Sequence, residues 1–464
     1  MAKSTGKTVA AGIMLALMLA MAGPLRSAPL GDAEIAALSR EILYGTPAQS
    51  TKAVETFVAR GKDDVVAALV LASRFRRDSP QIMNAINSLT GQSLSDWRDA
   101  MLWQEAHDEV KPHSSFRILK RSVFTRIDPA FDRFFSGERS SPENMKIRLE
   151  EITWGGVSVD GIPALDNPGL TGARQAKYLV NGDLVFGVEI NGDARAYPLR
   201  IMGWHEMFNE TIGGVPVALA YCTLCGAGIL FETQVEGRDE PFVFGSSGLL
   251  YRSNKLMFDR QTDSLWNQFT GKPVAGPLVD SGIELKIRPV VITTWENWKN
   301  SHPATKVLSL NTGHRRDYGS GVVYREYFAS PDLMFPAIVR NEKQLRRKDY
   351  VFGIRNFGAA KAWPISAFET MSVINDQVGA RKIVLVGDAK SRTVRAYERA
   401  DREFAKSEKP GHLSLAGRDW QLREEFLVGP GGTKLPRIAG HISYWFAWDG
   451  YLGVKSELFS AGNR

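Results

Sequence analysis

The chain has 464 residues, of which 44% are hydrophobic and 23% charged, and it carries a formal net charge of +7. That length exceeds one ordinary core and predicts two or three domains, while the composition excludes a disordered chain. The basic groups (Arg74–Arg77, Arg315-Arg316 after His314, and Lys343–Lys348) do not alternate with aromatics, so no nucleic-acid platform is expected.

Lys3 and Lys7 precede an apolar run over residues 9–23, and Ala20-Met21-Ala22 offers the small-x-small pattern cut by signal peptidases. This predicts a signal peptide over residues 1–22, too short in its apolar part for a membrane span; an uncleaved anchor is the alternative. Loss of the two lysines would lower the net charge to +5. No later run approaches the ~20 apolar residues a span requires, so the mature protein is expected to be periplasmic or secreted, with no membrane span.

Residues 23–148 are expected to form a helical domain. Residues 32–44, 52–59, 63–74, 80–89 and 95–107 place apolar side chains at three- and four-residue spacing. Asp63, and Ser95-Asp96 before Trp97, are plausible helix starts. His107 and His113 lack any cysteine or carboxylate cluster, so the role expected for this array is packing or docking a protein partner.

After Trp154 the chain turns to Gly, Pro and β-branched residues. Residues 184–190 and 194–197 flank Asn191-Gly192, which supplies the two positive φ angles of a type I′ hairpin. A short helix is read over residues 201–210, a Gly213-Gly214 turn follows, and residues 215–221 form a buried strand that ends on Cys222-Thr223-Leu224-Cys225. Gly226 and the apolar run after it predict a second strand.

An internal repeat organises this region. VFGVEINGDARAYPL from Val185 aligns without gaps to VFGIRNFGAAKAWPI from Val351, with seven of fifteen positions identical and four conservative exchanges. The same offset pairs Asn209 with Asn375, Gly213 with Gly379 and Leu219 with Leu385; further on, Trp295 and Trp298 correspond to Trp445 and Trp448. The expected architecture is therefore α+β: a helical N-terminal domain, a first strand-rich repeat over residues 149–317 and a second over 318–464. His205, Cys222 and Cys225 face Met371, Asp388 and Ser391, so the soft ligands belong to the first copy alone.

An imidazole and two thiols so placed suit copper or zinc better than magnesium or calcium, with His205, Cys222 and Cys225 as ligands. Asp259 is a candidate hard fourth ligand or orienting group, and Ser247, Tyr251, Asn254 and Arg260 could line the same pocket. The plainer reading is that Asp259–Arg260 and Thr262–Ser264 tie a β-turn. Two further functions compete: a non-catalytic binding or assembly protein with structural cysteines, and a thiol–disulfide oxidoreductase. The last is disfavoured because redox CxxC pairs usually open a helix, whereas a strand is expected here.

The stretches DGIPALDNP (from Asp160), MGWHEMFNETIGG (from Met202), VALAYCTLCGAGILFE (from Val217), FGSSGLLYRSNKLMFDRQTDSLW (from Phe244) and TTWENW (from Thr293) resemble the bacterial domain-of-unknown-function family 3179. The resemblance covers most of the first copy and implies a fold and a site region, but no reaction. Thr223 stands where that family's cysteine turn is expected to carry proline.

Several familiar signals fail. Asn209 replaces the second histidine of HExxH, and Gly226 after Cys225 excludes covalent haem attachment. Gly245-Ser246-Ser247-Gly248 is not a nucleophile elbow, and residues 429–434 lack the P-loop order, so no nucleotide site is expected.

Overall fold

The computed structural model describes residue 1 together with residues 30–335 and 343–461; the apolar N-terminal run and its cleavage pattern lie outside them. Among the described residues no helix is long and apolar enough to cross a membrane.

The N-terminal array contains helices Asp32–Tyr44, Pro47–Arg60, Val66–Phe75, Pro80–Thr90, Trp97–Ala106 and Phe116–Ile127. Local chemistry fixes their ends. Thr46 as N-cap and Gln49 at the third helical position form a capping box that brackets Pro47, and Gly61 closes that helix in the left-handed region. Asp96 caps the fifth helix by accepting from the backbone N–H groups of Arg98 and Asp99 at 2.7 and 3.2 Å.

The array is packed onto the strand-rich region. Its apolar face shares one core with Ile152, Leu249, Leu256, Phe258 and Leu265 from the first sheet of the strand-rich region. Lys120 is a buried peg in this joint, donating to the carbonyls of Leu149 and Ile152, and burial pushes its ammonium down to about 7. Arg74 reaches the hydroxyl of Thr153 and, at 2.6 Å, the carbonyl of Trp154.

The remaining sheets repeat a pattern. In the first copy the strand order is Val291–Thr294, Leu184–Ile190, Asp193–Pro198, then Lys306–Leu308 in parallel; in the second it is His441–Tyr444, Tyr350–Asn356, Ala359–Pro364, then Ser456–Leu458 in parallel. A companion sheet recurs likewise. Met207–Ile212, Val215–Cys222, Ala227–Glu232 and Ile287–Arg288 match Val373–Val378, Arg381–Asp388, Thr393–Glu398 and Lys434–Ile438.

Single side chains repeat as well. A Cβ on Gly187 would fall 2.3 Å from the ring of Trp298, and one on Gly353 2.0 Å from that of Trp448, so each tryptophan needs a bare backbone beneath it. Asn209 clamps the backbone of Phe244 through both its amide atoms, each at 2.9 Å, and Asn375 clamps Phe404 at 2.7 and 3.0 Å. The copies share one core, in which Phe186, Phe208 and Leu219 meet Phe352, Trp363 and Leu385.

The helix read over residues 201–210 is shorter than expected. It spans Leu199–His205 and ends where Glu206 takes φ +54°, a left-handed cap; Met207–Ile212 is a strand. Pairing with Val215–Cys222 across the Gly213-Gly214 turn overrides the local helical pattern.

Candidate functional site

The cysteine turn joins the strands Val215–Cys222 and Ala227–Glu232. Cys225 N–H donates to Cys222 O and Gly226 N–H to Thr223 O, both at 3.2 Å. Gly226 has φ +62°, and a Cβ there would lie 3.1 Å from the Tyr350 ring and 3.3 Å from that of Tyr444. Only glycine fits both demands. Cys222 and Cys225 are bonded to each other, with Cα atoms 5.3 Å apart, and they are 3% and 0% exposed.

The second copy closes the same turn without sulfur. Asp388 and Ser391, the counterparts of Cys222 and Cys225, are joined because the Asp388 carboxylate accepts from the Ser391 hydroxyl and, at 3.2 Å, from its backbone N–H. Both turns are tied between the same two positions, by a covalent bond in one and by hydrogen bonds in the other.

What sets the first copy apart is its surroundings. Thr223, between the cysteines, donates to Glu206 at 2.6 Å, and the other Glu206 oxygen pairs with Lys255 at 3.1 Å; all three residues are buried. The carbonyl of Ser253 lies 3.5 Å from Cys225 Sγ. Ser253 and its neighbour Arg252 have φ of +60° and +50°, a strained conformation for side chains with a Cβ. Asn254 beside them is fully buried, and its Oδ1 has no partner among the described residues. Tyr350, Tyr444, Trp445, Phe446 and Trp448 of the second copy share one apolar cluster with the two cysteines, and Tyr444 N–H donates to Cys225 O at 2.8 Å. The second copy thus forms much of the wall around the turn.

His205 is held elsewhere. Its Nδ1–H donates to Pro163 O at 2.9 Å, and its Nε2 accepts from the Tyr318 hydroxyl at 2.6 Å. The same hydroxyl lies 2.6 Å from that of Thr312. Burial pushes the imidazole down to about 4, helped by nearby His314 and Arg316 and opposed by the bond to Pro163, so it is neutral at physiological pH.

The expected copper or zinc ligands His205, Cys222 and Cys225 do not converge in this geometry. His205 and Glu206 are consecutive but send their side chains to different neighbours; both imidazole nitrogens are engaged, and the sulfurs are joined to each other. Among the described residues no three His, Cys, Asp or Glu side chains are placed to hold one ion. The donors fit the metal by type but not by arrangement.

The other candidate residues are divided. Asp259 accepts from Thr262 N–H at 2.6 Å and from the Thr262 hydroxyl and Trp266 Nε1 at 2.8 Å each, which ties the turn after its strand. Arg260 makes a two-point pair with Asp160 at 2.8 and 3.1 Å. The Ser247 hydroxyl donates to Leu256 O at 2.5 Å, and Tyr251 packs edge-on against Tyr451. Of this set Asn254 follows Ser253, whose carbonyl approaches Cys225 Sγ. Nothing in the local pattern marks Lys255 or Tyr318; Glu206 stood out only as part of a failed zinc motif.

Fold and site together define a duplicated, strand-rich body under a helical cover, with one disulfide-tied hairpin enclosed between the copies. The chain belongs to the family described as protein of unknown function (DUF3179), which it matches over residues 159–454. No curated protein and no solved structure matches it.

Proposed function

We propose that this is an exported, non-catalytic binding protein in which Cys222 and Cys225 are a structural tie. The observation that carries the reading is the Asp388–Ser391 link: the second copy needs the same two turn positions joined, and it joins them with no redox chemistry. Burial of both sulfurs fits a tie, because exchange with another protein requires a sulfur that can be reached. The N-terminal apolar run supports export, and an oxidising compartment suits a persistent disulfide.

A second reading, thiol–disulfide exchange, draws on the Glu206–Lys255 pair. Hydrogen-bonded to Thr223 between the cysteines, it could take up and return a thiol proton. Equilibration in thiol redox buffers, followed by alkylation and mass measurement, separates the two readings. A structural tie gives a potential below about −300 mV, whereas a potential of about −120 to −230 mV would replace it with the exchange reading.

A further inference from the structure

The strongest unassigned feature borders Tyr318, the hydrogen-bond partner of His205. A shallow cleft of about 750 Å³ is lined by Arg200, His314, Arg315, Arg316 and Asp317 together with Tyr178 and Tyr318. That volume suits a small molecule. The Tyr318 hydroxyl is fixed from within by His205 and Thr312, so this part of the wall has a set conformation.

The charges on the cleft do not balance. Arg315 and Arg316 have no carboxylate partner among the described residues; Arg316 bonds the carbonyl of Arg315 at 3.1 Å and lies 5.9 Å from the Trp204 ring. Arg200 is recessed, its side chain 14% exposed. It donates to Tyr178 O and lies 3.5 Å from Asp183, yet its buried Nε has no partner among the described residues. Asp183 pairs with Arg200, and Asp317, which accepts from Gly319 N–H at 2.8 Å, is the one carboxylate among the described residues of the lining, against the guanidinium groups of Arg200, Arg315 and Arg316.

Guanidinium groups present planar forks of donors that match carboxylate and phosphate oxygens. We infer that this cleft binds a small molecule bearing an oxyanion, phosphate or carboxylate, gripped by Arg200 and Arg316 with Tyr318 as part of the wall. This inference rests on the binding-protein reading and names its ligand class.

Calorimetric titration of the full oxidised chain with inorganic phosphate and with citrate, against sodium chloride as control, tests it. The expected result is saturable one-site binding of at least one probe, weakened about tenfold or more in Arg316→Gln and in Arg200→Gln. Arg316 is exposed, so its variant reports on binding even if the Arg200 variant folds poorly. No saturation by either probe at a Kd stronger than about 10 mM, or unchanged affinity in Arg316→Gln, overturns the inference. The disulfide potential is measured separately, so failure of the tie and failure of the cleft are distinguishable.

Discussion

Replacing both cysteines with alanine should lower stability by a modest, calculable amount. A tie three residues apart closes so short a loop that its effect on unfolded-chain entropy is about 2 kcal/mol. Loss of two buried sulfur atoms from the cluster around Trp445 and Trp448 adds about 1 kcal/mol of packing. At about 2 cal/mol/K per residue, the 296 residues from 159 to 454 unfold with an entropy near 0.6 kcal/mol/K. The combined ~3 kcal/mol therefore corresponds to a fall in Tm of about 5 °C. Ser391→Ala, which breaks the hydrogen-bonded counterpart, should cost about 1–2 kcal/mol and lower Tm by about 2–3 °C. Scanning calorimetry of the two variants beside the parent chain reads both numbers. A fall greater than about 15 °C, or none at all, for the double alanine variant would refute the comparison between the two turns.

Stability should fall on acidification. His205 and His441 are held neutral by burial, His205 down to about 4 and His441 down to about 3, whereas the unfolded chain protonates both near 6.5. The unfolded state thus binds more protons below that point, and stability drops by up to about 1.4 kcal/mol per pH unit for each histidine from pH 6.5 to 4. Lys120, pushed down to about 7, has the same sign in a higher window, so stability should rise from pH 7 toward 10. Urea midpoints across pH 4–10 check both slopes, and a flat acid limb in the parent chain contradicts the first. Asn209→Ala strands the buried carbonyl and N–H of Phe244 and should cost about 2–4 kcal/mol, as should Asn375→Ala at Phe404; denaturant titration of each reads the loss. Gly187→Ala drives a methyl group into the Trp298 ring and should cost about 3 kcal/mol, with Gly353→Ala equivalent at Trp448; a loss under 1 kcal/mol in either counts against the shared packing.

Much of this architecture was legible in the chain. The Asn191-Gly192 turn, the aligned stretches from Val185 and Val351, and the paired tryptophans all describe local chemistry or near-identical copies. They led to the α+β duplication and to helices close to those found. The boundary after His205 was not legible, because residues 201–210 satisfy a helical period until cross-strand pairing claims Met207–Ile212. The site was half legible. The chain marks Cys222 and Cys225, but not that His205 turns to Pro163 and Tyr318 while its neighbour Glu206 turns to Thr223 and Lys255. Lys255 and Tyr318 reach their positions through tertiary packing and carry no signal of their own. The second copy reads as lacking the soft ligands, which is true of its sequence, yet its aromatic residues enclose the first copy's turn.

The central claim is that the two sulfurs bind each other and nothing else. It is tested most directly on protein purified without chelator, by elemental analysis and thiol titration of the same sample, with Cys222→Ser as control. The account predicts no reactive thiol before reduction, two after it, and the same background copper and zinc in both proteins. One equivalent of either metal per chain, held by the parent and lost in Cys222→Ser, would contradict it.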